Sequence, residues 1–260
     1  MLVRIWQKII DEERIRVFVF AQLENNYSYI IETRAQCLVV DPAESEEILN
    51  YIQAENLDLK AVLLTHYHED HIRGVNGILE KLQTQVIGPF DENLQIANSI
   101  ISNQEELIIG PFSVLALETP GHTTNHLCYY VNNFQILFSG DMIFPCGCGK
   151  IMQGLYEKMI ESLKVLKSLP KDTYIFSGHE YSIENLKFAL SIEPERKDIE
   201  ERLDLIIKKE QYPIPTTIDL ELKINPFFRI DDLLFQKKLN CEDASELEVL
   251  IKLRELRENQ

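Results

Sequence analysis

The apolar positions of the chain fall into two regimes. Up to about residue 182 they form short runs rich in β-branched and aromatic residues. Arg16 to Phe20, Tyr27 to Glu32 and Cys37 to Val40 read as strands. Asn25–Asn26 punctuates the first two, and Asp41–Pro42 closes the third. A helix is expected from a Ser45 cap to about Glu55. Leu59 to Leu64 is an apolar strand that stops at Thr65, and Gly74 to Leu82 has a helical pattern. Leu107 to Leu117, broken by Gly110–Pro111, reads as a hairpin. Leu127 to Val131 and Gln135 to Phe138 read as a second, turning at Asn132–Asn133. Tyr156 to Leu169 has helical spacing, and Thr173 to Phe176 is a last strand.

Beyond about Ser182 strand signals fade. Helical spacing covers Ser182 to Ser191, Lys197 to Lys209, Asp231 to Leu239 and Ala244 to Arg257. A proline-punctuated stretch, Tyr212 to Phe227, separates the helices. The expected division is a mixed α/β domain over residues 1–182 and a smaller helical domain over 183–260. The first fourteen residues read as an N-terminal extension. Ile5, Trp6 and Ile9 have helical spacing there, which suggests a packing or docking helix.

Composition narrows the partners. The 260 residues hold 26 Lys and Arg against 42 Asp and Glu, a net charge of −16. Such a surface repels phosphate backbones, so no nucleic-acid partner is expected. No apolar run approaches a membrane span, and Asp11 to Glu13 argue against a targeting peptide, so a cytoplasmic protein is expected. Five cysteines (37, 128, 146, 148 and 241) suit a reducing compartment better than a disulfide framework.

The chemistry concentrates in His66-Tyr67-His68-Glu69-Asp70-His71. Three of the six histidines lie in these six residues, directly after a buried-looking strand. The C-terminal ends of strands are where α/β sheets place their sites. Imidazoles and carboxylates suit Zn²⁺, and also Fe or Mn. Four donors so close in sequence cannot all turn to one ion without strain, so two ions side by side are expected. Three more apolar strands end in a small residue, a glycine and a donor. They lead to Pro120-Gly121-His122, Ser139-Gly140-Asp141 and Ser177-Gly178-His179. A single His after Gly is commonly a turn residue. Repetition of the same grammar points to a shared site. His126 lacks this setting and reads as core or as a support for the ligands. Asp41, ending its own strand, is a candidate for orienting a ligand loop. Cys146 and Cys148 read as structural, because no second cysteine pair completes a zinc-ribbon spacing.

With these residues the sequence resembles the metallo-β-lactamase superfamily and, within it, glyoxalase II, the hydroxyacylglutathione hydrolases. The wider resemblance rests on His66-x-His68-x-Asp70-His71, His122, Asp141 and His179. The narrower one rests on Gly147-Cys148-Gly149-Lys150, on Gly178-His179-Glu180-Tyr181 with Asn185 to Ala189, and on Pro215-Thr216-Thr217 with Asn225 to Arg229. The resemblance implies a four-layer αββα sandwich with a smaller C-terminal helical domain. It implies two divalent ions, zinc foremost. His66, His68 and His122 would hold one, Asp70, His71 and His179 the other, and Asp141 would bridge. Asp70 and Asp141 are the catalytic carboxylates of that scheme.

The implied substrate is a glutathione thioester, S-D-lactoylglutathione above all, cleaved to D-lactate and glutathione by a metal-bridging hydroxide. Lys150, Tyr181, Arg254 and Arg257 match the family's glutathione-binding positions, Arg257 standing where lysine is usual. Met152 replaces an aromatic residue, Gln153-Gly154-Leu155 replaces Glu-Gly-Thr, and Asn125 replaces a glycine. The substrate is a small molecule, and a monomer is expected. The alternatives are a lactonase, another thioesterase, or an iron persulfide dioxygenase. An inactive metal-binding scaffold is disfavoured by the complete donor set.

Overall fold

The computed structural model describes residues 2–10 and 13–259, residues 2 and 3 by their backbone alone. The chain divides into two compact units. The first holds the residues up to Glu118 together with Asn125–Gly140. The second holds Thr119–Thr124 and Asp141 onward.

In the first unit a seven-stranded sheet follows chain order. Its strands are β1 (Leu2–Ile10), β2 (Glu13–Gln22), β3 (Asn26–Thr33), β4 (Gln36–Val40), β5 (Asp58–Leu63), β6 (Gln85–Gly88) and β7 (Ser99–Ile100). The first four pair antiparallel, and β4 onward pair parallel. Parallel neighbours need a crossover, and α1 (Glu46–Ala54) supplies it between β4 and β5. The short helices α2 (Glu69–Ile72) and α3 (Val75–Leu79) follow β5. One face of the sheet buries Phe18, Phe20, Ile30, Val39 and Val62 against Ile48 and Ile52 of α1 and Val75 and Ile78 of α3. A second, antiparallel set of strands is formed by β8 (Glu106–Ile109), β9 (Phe112–Glu118), β10 (Leu127–Val131) and β11 (Ile136–Gly140). The opposite face of the first sheet meets it, with the Tyr29 and Phe138 rings 5.3 Å apart. The Tyr129 hydroxyl donates to the Leu64 carbonyl at 2.8 Å. Sheet lies on sheet, and helices cover the outer face of the first.

The second unit carries β12 (Ile143–Phe144), β13 (Gly147–Cys148), α4 (Tyr156–Lys167), β14 (Tyr174–Ser177), α5 (Ser182–Ile192), α6 (Lys197–Ile207), β15 (Thr216–Thr217), α7 (Ile218–Ile224), α8 (Leu233–Lys238) and α9 (Glu246–Glu258). Its core joins Cys146 to Leu186, Ala189, Ile199, Ile206 and Ile224. A capping box, Ser245 with Glu248, starts α9. Among the described residues no helix is long and apolar enough to cross a membrane.

Three expectations need correction. The N-terminal residues form strand β1, not a helix. Arg4, Trp6 and Lys8 share its less exposed face, while Ile5 and Ile9 point outward, as period two requires. Tyr212 to Phe227 is more than a connector, because it holds β15, α7 and the start of a 3-10 turn over Pro226–Arg229. Ser45 stands at the N-cap of α1 but makes no capping hydrogen bond.

Candidate metal centre and substrate cavity

Strands β4 and β5 run parallel, so their C-terminal ends lie at the same edge and bring Asp41 beside Thr65 and His66. Asp41 has φ +47, a left-handed conformation that Asp tolerates better than most residues. Its Oδ1 accepts from the Thr65 N–H at 2.8 Å and its Oδ2 from the Thr65 hydroxyl at 2.6 Å. The same Oδ2 lies 3.0 Å from His71 Nδ1. A carboxylate only accepts, so Nδ1 of His71 carries the proton and Nε2 keeps its lone pair. Thr65 has given its one proton to Asp41. Its oxygen, 2.9 Å from His66 Nδ1, therefore accepts from that ring. His66 too keeps its lone pair at Nε2, which lies 3.0 Å from Nδ1 of His68.

Asp70 lies in the first turn of α2. Its Oδ2 accepts from the Asn26 amide at 2.9 Å and lies 3.8 Å from His71 Nε2. Asp41, His66 and His71 place ligand atoms within 4.8 Å of one another. His126 is fully buried, its ring 5.1 Å from that of His66.

The second unit assembles the other donors. His122 sets Nδ1 2.9 Å from the Lys150 carbonyl, which fixes the proton there and the lone pair at Nε2. Nε2 of His122 and Nε2 of His179 lie 3.5 and 3.2 Å from the same oxygen of Asp141, Oδ2. One carboxylate oxygen facing two imidazole nitrogens is a compact set of metal-ligating atoms. Gly149 permits this approach, because a Cβ there would strike the Asp141 carbonyl oxygen. The donor chemistry fits metal in both units: imidazoles, of which His66, His71 and His122 each have Nδ1 held by an oxygen, with carboxylates beside them.

Close to this second set lies a cavity of about 260 Å³, lined by Lys150, Tyr181, Asn185, Arg254, Arg257 and Glu258 among others. The Tyr181 ring stacks on His179, 5.0 Å apart and 11° from parallel. Arg254 is buried to 7% exposure, its guanidinium 6.0 Å from the Phe227 ring centre. Arg257 sits 5.9 Å from that of Phe188. Lys150 follows the Cys146–Gly149 loop, which buried groups hold in place. Glu221 accepts from the Cys146 N–H at 2.7 Å, from Thr216 at 2.6 Å and from Asn225 at 2.9 Å. Asn225 also donates to the Gly147 carbonyl at 3.0 Å. Burial pushes the Glu221 carboxyl above its usual range against these hydrogen bonds. Burial pushes the Cys148 thiol, in the cavity wall, up to about 11.

The first unit thus gathers His66, His68, Asp70 and His71. The second gathers His122, Asp141 and His179, and also Lys150, Tyr181, Arg254 and Arg257. Sequence reasoning missed Thr65, Asn26, Glu221 and Glu258. Thr65 directly precedes His66, and Glu258 stands four residues after Arg254, so both had a positional signal. Asn26 and Glu221 had none.

Two sheets face to face, with histidines and aspartates at strand ends, define a metal-binding protein of the metallo-β-lactamase fold. Residues 22–89 and 99–179 match the family model for the metallo-beta-lactamase superfamily. Residues 180–260 match that for the hydroxyacylglutathione hydrolase C-terminus. The chain belongs to the hydroxyacylglutathione hydrolase family, and is a metallohydrolase. It is 36% identical over 244 residues to the hydroxyacylglutathione hydrolase of Blochmanniella pennsylvanica, covering 91% of this chain and 96% of that one. It is 36% identical over 240 residues to the cytoplasmic hydroxyacylglutathione hydrolase of Arabidopsis thaliana, covering 88% and 93%. A metallo-beta-lactamase from Staphylococcus aureus shares the fold at a TM-score of 0.64, with 19% identity, covering 96% of this chain and 66% of that one.

Proposed function

We propose that this chain hydrolyses glutathione thioesters, S-D-lactoylglutathione foremost, to D-lactate and glutathione. The observation that carries this reading is the cavity in which Lys150, Tyr181, Arg254 and Arg257 converge, within a chain of this family. Three cations around one cavity in a protein of charge −16 suit an anionic ligand. The division of labour we favour is catalysis by residues 1–182 and glutathione recognition by the helices of 183–260, with Lys150 and Tyr181 of the first part helping to hold the tripeptide. A monomer working in the cytoplasm, as the name of the Arabidopsis relative indicates for that protein, completes the reading.

The metal scheme is part of the proposal. In this scheme His66, His68 and His122 would hold one divalent ion, Asp70, His71 and His179 would hold the other, and Asp141 would serve both. Zinc suits these donors, and so do iron and manganese. When bound, such ions polarise a carbonyl and acidify water. The chain's residues do the rest. Lys150, Arg254 and Arg257 take the charges of the tripeptide, and Tyr181 sets it beside His179. Asp41 keeps the protons of His66 and His71 on their outer nitrogens, directly and through Thr65. A thiolate leaves without a strong general acid, so no serine or cysteine need act as nucleophile or donor.

The test is hydrolysis of S-D-lactoylglutathione by metal-loaded protein, followed by loss of thioester absorbance. Failure to turn over with two equivalents of metal bound would refute the assignment. Replacing Arg254 and Arg257 together by alanine should raise KM about tenfold and change kcat less. Asp141→Asn should lose at least one metal and about a hundredfold or more in rate, read by metal analysis beside the assay.

A further inference from the structure

The cavity that gathers three cations also presents one carboxylate, Glu258, the only acidic residue among the described residues lining it. Glu258 closes α9, and its side chain is half-exposed. Its Oε1 lies 3.4 Å from Nη2 of Arg254. That is a long, single contact at a helix end, of a kind that opens at little cost. Nor does Arg254 depend on it for position. The guanidinium also reaches the Gly149 carbonyl at 3.5 Å and faces the Phe227 ring. An added negative charge in an anion site weakens binding unless the ligand brings a positive charge to meet it.

Glutathione brings one. Its γ-glutamyl end carries an ammonium and a carboxylate on the same carbon, and its glycyl end carries a second carboxylate. Two anions and one cation find partners of opposite sign among the three cations, Lys150, Arg254 and Arg257, and the one carboxylate, Glu258. We propose that Glu258 determines specificity by receiving the γ-glutamyl ammonium while the basic residues take the carboxylates. This rests on the glutathione thioester reading above and sharpens it. The site then selects a zwitterionic γ-glutamyl group over a merely anionic acyl chain, a discrimination that arginine and lysine alone do not provide.

The experiment compares two substrates, S-D-lactoylglutathione and the same thioester with its γ-glutamyl group replaced by glutaryl, which lacks the amine. Wild-type protein should favour the amine-bearing substrate by about fivefold in kcat/KM, through KM. Glu258→Gln should raise KM for that substrate about fivefold, leave kcat unchanged and leave the glutaryl substrate unaffected or improved. Equal use of both substrates by wild type, or an equal shift of both in Glu258→Gln, overturns the role of Glu258 and leaves the thioesterase reading standing. Hydrolysis of neither by wild type overturns that reading and this inference with it.

Discussion

Asp41 shows how much one side chain can arrange. It accepts two hydrogen bonds from Thr65 and one from His71, from a backbone conformation most residues avoid. Alanine there would let both His66 and His71 choose the other tautomer and turn their lone pairs away. Asp41→Ala should weaken metal binding by about 10- to 100-fold, the usual scale for losing such a support. Competition with a chromophoric chelator measures it, and unchanged affinity would return Asp41 to a purely structural place. The candidate donors were legible in sequence because four are nearly contiguous and the other three share one strand–Gly–donor grammar. Asn26 was not. It reaches Asp70 only because β3 and the turn into α2 meet in space, 44 residues apart in the chain.

The loop that carries Lys150 is only as firm as its buried anchors. Glu221 sits on α7, a seven-residue helix between Pro215 and Pro226. So short a pattern gives no helical period, and the segment read as a connector. The short strands β6, β7, β12 and β13 escaped for the same reason. The N-terminal residues misled differently, since positions 5, 6 and 9 fit a helix as easily as the strand they form. Removing the Glu221 carboxylate leaves the Cys146 N–H and the Asn225 amide without that acceptor. Glu221→Ala should cost about 3 kcal/mol in denaturant unfolding and raise KM through Lys150. The pH dependence has a definite sign. The folded carboxyl binds its proton more tightly than the unfolded one. Its contribution is complete below the ordinary carboxylate pKa and is lost as pH rises through the folded value. Glu221→Gln should flatten that slope, and an unaltered slope would count against it.

At the scale of the whole molecule, both the fold family and the site chemistry were readable, because histidine clusters and terminal motifs survive where short elements do not. Alkaline stability is a property of the same scale. Cys37 is pushed up to about 12 and Cys148 to about 11, chiefly by burial. Both release their protons later when folded. The stability they lend is full below the ordinary thiol pKa of 9.0 and drains as pH rises towards those values. Denaturant midpoints should therefore fall between about pH 9 and 11, and Cys37→Ala should soften the fall. Alkylation at neutral pH should mark Cys241 well before the four buried thiols, which mass spectrometry can count.

The polypeptide passes between the two units three times, because residues 119–124 belong with the later residues while their flanks do not. His122 rides on that excursion, and Cys146 lends its side chain to a core made mostly from α5, α6 and α7. A protein engineer wishing to transplant the C-terminal helices could not simply cut after Ser182 and fuse the tail elsewhere. The graft would arrive with a hole where Cys146 had been and with the amide of Asn225 deprived of its loop. What travels intact is the whole second unit, stitched from two separate lengths of chain.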